Sequence, residues 1–96
     1  MFGFIFGRGS AQLAEAKARV EAGATLLDVR TREEFAGGHV KGAKNIPVQE
    51  LAARLKEVPK GHVVVYCRSG GRSASAAALL KGQGYEVTDI GPMPNW

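Results

Sequence analysis

Apolar positions change their spacing several times along the 96-residue chain, and the changes predict alternating helices and strands. From Ala11 to Val20, Leu13, Ala16 and Val20 share one helical face, with Ser10 placed to cap the start and Gly23 to end it. Thr25-Leu26-Leu27-Asp28-Val29-Arg30 is short and mostly apolar, as a buried strand is. Thr31-Arg32-Glu33-Glu34 reads as a capping box that opens a very short helix, stopped by Gly37-Gly38. Asn45-Ile46-Pro47 predicts a brief edge strand, followed by a helix that turns Leu51 and Leu55 inward and breaks at Pro59-Lys60-Gly61.

The strongest strand signal is His62-Val63-Val64-Val65-Tyr66, β-branched and nearly continuous, as a central parallel strand buried on both faces would be. It ends at Cys67. An alanine-rich helix is predicted over Ser73–Lys81, with Gly82 and Gly84 ending it before a last strand, Glu86–Ile90. Strands alternating with helices predict an α/β fold, a three-layer sandwich around a mostly parallel sheet. Ligands of such sheets gather beyond the carboxyl ends of the strands, where Cys67 falls.

Length allows one core, so residues 11–96 are expected to form a single domain behind an apolar N-terminal extension, residues 1–10. The opening Met1-Phe2-Gly3-Phe4-Ile5-Phe6 is too short for a signal peptide or a membrane span. The net charge of +4 permits a nucleic acid, an acidic surface or a small anion as partner. The basic residues are scattered and no aromatic residues interleave with them, which argues against nucleic acid. A single cysteine forms no internal disulfide and no structural zinc cluster, and it fits a reducing, cytoplasmic setting.

The chemistry concentrates in Cys67-Arg68-Ser69-Gly70-Gly71-Arg72-Ser73, between the central strand and the alanine-rich helix. Gly70 and Gly71 can adopt backbone angles closed to other residues, so that successive amides turn inward as a nest for an anion. The free amides and positive end of the following helix favour a thiolate at Cys67. Arg68 and Arg72 offer guanidinium donors to an oxyanion beside the sulfur, and Ser69 and Ser73 add hydroxyls. A cysteine buried for packing alone would need none of these neighbours.

This loop, together with Leu26-Leu27-Asp28-Val29-Arg30, Glu34-Phe35, Gly38-His39-Val40, Gly42-Ala43, Asn45-Ile46-Pro47 and Gly91-Pro92-Met93-Pro94-Asn95-Trp96, resembles the rhodanese family over roughly residues 11–96. The tyrosine-phosphatase signature has a longer loop than the four residues between Cys67 and Arg72, and the shorter one is similar to that of rhodaneses. The resemblance implies a sulfurtransferase in which Cys67 takes a sulfane sulfur from thiosulfate or a protein persulfide. Cyanide, a thiol or another acceptor then removes it, with no metal and no organic cofactor. A second possibility is a non-catalytic or carrier module that uses the same loop to dock a protein partner and relay its sulfur, with weak thiosulfate turnover; the apolar N-terminus is its special support.

Asp28 and Arg30 match acidic and basic positions shared by rhodaneses, and a supporting role is expected, Asp28 anchoring a neighbouring loop. His39 is expected to bond backbone within its turn, and His62 to lie at the end of the sheet opposite the cysteine. Met93 and Trp96 match the family's closing segment, near the active-site loop.

Overall fold

A computed structural model describes residues 3–93, with side chains from Gln12 onward. Helix α1 spans Gly3–Glu21, followed by strand β1 (Thr25–Asp28), helix α2 (Arg32–Ala36) and strand β2 (Lys44–Asn45). Helix α3 (Val48–Leu51) runs into a 3₁₀ helix (Ala52–Glu57), and then come strand β3 (His62–Cys67), helix α4 (Gly71–Gly82) and strand β4 (Glu86–Pro92).

The strands form one parallel sheet in the order β2-β1-β3-β4. From β1 the chain first steps outward to β2, then crosses to the other side of β1 for β3. The order therefore reverses between β1 and β3, and a crevice opens beyond their carboxyl ends. Asp28 and Cys67 are the last residues of those two strands.

Period-two alternation along β3 divides the core between the two faces of the sheet. Val63, Val65 and Cys67 join Leu27, Leu51, Ala76, Ala77 and Leu80 on the side of α3 and α4. Val64 and Tyr66 join Ala16, Leu26 and Val40 on the side of α1. Helices thus cover both faces, the expected three-layer sandwich. Full burial of each of these valines contributes about 1.5–3 kcal/mol, which sets β3 firmly at the centre.

The boundaries differ from expectation in several places. Ser10 does not cap α1 but lies inside it, because the helix continues back to Gly3. Adding a residue to an existing helix costs far less than nucleating one, so an alanine-rich segment can carry less suited neighbours. The border expected between residues 10 and 11 thus falls within a continuous helix. Strand β1 stops at Asp28 rather than Arg30, although Val29 still donates its N–H to the Tyr66 carbonyl at 3.1 Å. The segment carrying Leu51 and Leu55 tightens from α to 3₁₀ geometry at Ala52, with Leu51 buried and Leu55 packed on the core's edge.

Strand β4 extends beyond Ile90 by way of an irregularity. Val65 pairs with Asp89 and Tyr66 with Gly91, leaving Ile90 as an extra residue. Gly91 takes φ +70° there, and its N–H donates to Asp89 Oδ1 at 2.9 Å. Trp96 and the side chains of the apolar opening lie outside the described residues.

Candidate active site

The strand that delivers Cys67 buries it completely. The chain then leaves the sheet through Arg68 and Ser69, and Gly70 turns with φ +102° before α4 begins. That left-handed angle is open to glycine at little cost, and it aims the Gly70 N–H at Cys67 Sγ over 2.8 Å. Gly71 departs from expectation. It is the first residue of α4 with no positive φ, and a Cβ there would meet nothing within 4 Å. The unusual backbone angle thus belongs to Gly70 alone, because a helical residue needs none.

Helix α4 starts at Gly71 rather than Ser73, which places Ser73 in its first turn, fully buried. The Ser73 hydroxyl donates to the Gly70 carbonyl at 3.1 Å and so braces the turn. Burial pushes the Cys67 thiol up, but the polar surroundings of Ser73 and the amides of Ser73, Gly70 and Ser69, the Gly70 N–H closest at 2.8 Å, outweigh it and leave the thiol below its ordinary value. The loop therefore favours thiolate by oriented donors at close range.

The two arginines differ from each other and from expectation. Arg72 does not point free toward an anion: its Nη1 and Nη2 donate to Glu34 Oε1 and Oε2 at 2.7 and 3.1 Å. Arg68 keeps a side chain 76% exposed, its Nη1 3.8 Å from Glu34 Oε2. Arg68 is thus the loop guanidinium available to solvent, while Arg72 is held. Glu34 was legible as part of the capping box and of the Glu34-Phe35 family resemblance, and the box forms as expected: Glu34 N–H donates to Thr31 Oγ1 at 3.1 Å and Thr31 N–H to Glu34 Oε1 at 2.9 Å. Its second role spans 38 positions of sequence, and no local pattern signals it. These bonds, led by the fork from Arg72, hold the Glu34 carboxyl down to about 2.

Beside the loop, the end of β1 carries a buried ion pair. Asp28 accepts the Arg30 backbone N–H at 2.8 Å and the guanidinium Nη2 at 2.8 Å, with Nε 3.0–3.1 Å from its two oxygens. Arg30 Nη2 also donates to the Gly38 carbonyl at 2.6 Å. Asp28 therefore reaches the neighbouring loop through Arg30. Tyr66 Oη accepts the Val40 N–H at 3.0 Å and ties the same loop to the sheet, and burial pushes the Tyr66 phenol up to about 12.

A cleft of about 460 Å³ opens next to this cluster, lined by Arg30, Glu33, Glu34, Gly37, Gly38, Arg68 and Met93. Cys67 is not part of its wall, being covered on all sides. His39 lies outside this chemistry, its Nδ1 2.7 Å from the Phe35 carbonyl and its ring stacked on Phe35 at 3.6 Å. His62 stands at the opposite end of β3, 2.7 Å from Thr88 Oγ1. Among the described residues no group of three or more His, Cys, Asp or Glu could hold a metal ion, and no helix is long and apolar enough to cross a membrane.

Several known proteins are similar to this chain in sequence and in fold. The chain is 35% identical to the human thiosulfate:glutathione sulfurtransferase over 95 residues, covering 82% of this chain and 83% of that protein. A sulfurtransferase of Allochromatium vinosum is 46% identical over 61 residues, 62% of this chain and 57% of that protein. Among solved structures, the human single-domain sulfurtransferase TSTD1 superposes with a TM-score of 0.67 at 34% identity, covering 88% of each chain. The chain spans about half or less of the length of several other curated relatives, 49% and 25% in two of them. Residues 12–91 match the model of the rhodanese-like domain, and the chain belongs to that family.

Proposed function

We propose that this protein is a sulfurtransferase that carries sulfane sulfur as a persulfide on Cys67. One observation carries the reading: a buried cysteine at the carboxyl end of a central strand receives the Gly70 amide at 2.8 Å, and its thiol lies below the ordinary value. The names of the human and Allochromatium vinosum relatives support sulfur transfer as the reaction class.

In the first half-reaction the Cys67 loop opens enough to admit thiosulfate from the neighbouring cleft, and the Cys67 thiolate attacks its outer sulfur. A new S–S bond forms as the bond between the two thiosulfate sulfurs breaks, and sulfite leaves with the electron pair. The inner donors that favour thiolate also stabilise the negative persulfide, without reorganising as charge moves outward by one atom. Arg68, the exposed guanidinium, meets the sulfonate end of the donor. In the second half-reaction cyanide or a thiolate attacks the outer sulfur and releases the Cys67 thiolate. Asp28 and Arg30 support the cleft wall by holding Gly38.

Intact-mass analysis after incubation with thiosulfate tests this directly, because the chain has a single cysteine. The wild type is expected to gain one sulfur atom and to lose it to cyanide, and Cys67→Ser to gain none. Equal labelling of the Cys67→Ser variant, or no labelling of the wild type by either thiosulfate or a persulfide donor, overturns the assignment.

A further inference from the structure

The Glu34 carboxylate occupies an unusual position, shared between the start of one helix and the start of another. Its Oε1 accepts both Thr31 N–H at 2.9 Å and Arg72 Nη1 at 2.7 Å, while Oε2 accepts Arg72 Nη2 at 3.1 Å. Arg72 is the second residue of α4, the helix whose first turn supplies donors to Cys67. The side chains are 29% and 22% exposed, so solvent screens this pair only in part.

The charged groups around the sulfur come from several elements. Asp28 and Arg30, at the end of β1, offset each other in their own ion pair. Arg68, on the cysteine's own loop, is mostly exposed with its Nη1 3.8 Å from Glu34 Oε2, and Arg72 comes from α4 within electrostatic reach of Cys67. Glu34, from α2, is the carboxylate that offsets Arg72 at close range and Arg68 at longer range.

From this geometry we infer that Glu34 is a positioning residue for Cys67: by holding Arg72 in a two-bond fork against the α2 cap, it keeps that guanidinium from the sulfur and leaves loop amides and Ser73 to hold the thiolate. A guanidinium bonded directly to the sulfur would place a full positive charge there, rather than amide dipoles, and would lower the thiolate's nucleophilicity toward the donor along with its pKa. The held arginine avoids that cost, and it leaves Arg68 as the cation that selects an anionic donor. The inference rests on Cys67 being the reacting thiol, but its test reads thiol ionisation alone and does not require sulfur transfer.

The test is the pH dependence of Cys67 alkylation by iodoacetamide, followed by intact mass, in the wild type, Glu34→Gln, Arg72→Gln and the double variant. Glutamine at position 34 keeps an acceptor for Thr31 N–H and removes the charge. The alkylation midpoint is expected to fall by about 0.5–1 pH unit in Glu34→Gln, as Arg72 loses its counter-charge, and to rise by a similar amount in Arg72→Gln, as Glu34 loses its own. The double variant is expected to return close to wild type. Thr31→Ala, which loses the hydroxyl cap but keeps the backbone donor, is expected to melt earlier with an unmoved midpoint. Single variants that shift the midpoint in the same direction, or not at all, overturn the inference, as does a Thr31→Ala shift equal to that of Glu34→Gln. If Glu34→Gln does not fold, Arg72→Gln still decides, since an unmoved midpoint there is incompatible with the charge pairing. Absence of a persulfide in wild type with the midpoints moving as expected would instead count against the sulfurtransferase reading alone.

Discussion

The two ends of β3 treat buried polar groups in opposite ways. At the carboxyl end, the Cys67 sulfur, Ser73, Glu34, Arg72, Asp28 and Arg30 each have a partner, and Glu34 and Arg30 have more than one. At the amino end, His62 places Nε2 on Thr88 Oγ1 at 2.7 Å but leaves Nδ1 buried with no partner, the one such side-chain atom among the described residues. An unmet donor or acceptor of this kind costs about 1–3 kcal/mol. The fold tolerates that cost at the end remote from the cysteine. At the cysteine end, every one of these groups is bonded and the ion pairs are held by two or more bonds, which restricts motion as a site that stabilises moving charge requires.

Breaking the carboxyl end should therefore cost more than altering the amino end. The largest effect is expected from Asp28→Asn, which keeps the side chain's shape but leaves the Arg30 guanidinium, 7% exposed, without its counter-charge. Removing one partner of a buried pair costs about 3–5 kcal/mol, and chemical denaturation should show a loss in that range. A loss well below about 1 kcal/mol would mean that the pair is solvated in practice.

A smaller, pH-dependent effect belongs to Glu34. Its carboxyl is lowered from 4.5 to about 2, so between those values the unfolded chain binds the proton more readily than the folded one. Stability from the Arg72 fork is then complete above about 4.5 and is lost as pH falls through about 2. The difference in denaturation midpoint between wild type and Glu34→Gln is expected to narrow steadily across that window. A difference that stays constant would show that the carboxylate's charge contributes nothing to folding.

The smallest effect is expected at the amino end. His62→Val removes the unpartnered nitrogen along with the bond to Thr88, and the two changes offset one another to within about 1 kcal/mol. Thermal melting combined with the alkylation profile of Cys67 checks both halves of the comparison. A stability loss beyond about 2 kcal/mol, or a shifted thiol profile, would show that the two ends are not independent.

Much of the architecture was legible because it is written in near neighbours and short periods. The β-branched run before Cys67 predicts the central strand, and the Thr31–Glu34 spacing predicts a capping box whose two hydrogen bonds are present. Boundaries were less legible. Ser10 looks like a helix cap until α1 is seen to run back to Gly3, and Gly71 looks like a second turn glycine until α4 is seen to start there. Pairings between distant segments were not legible at all: Glu34 with Arg72, Arg30 with Gly38, and Val40 with Tyr66.

The division follows from how each kind of information is encoded. Side-chain periodicity and capping act within a few residues, so the sequence by itself determined the alternation of strands and helices, the central strand and the cysteine loop. Whether a charged group meets an anion, another side chain or water depends on what the folded chain brings within a few ångströms. Only the tertiary structure decided that Arg72 is held by Glu34 while Arg68 extends into solvent, because the parallel sheet places the starts of α2 and α4 side by side beyond its carboxyl edge.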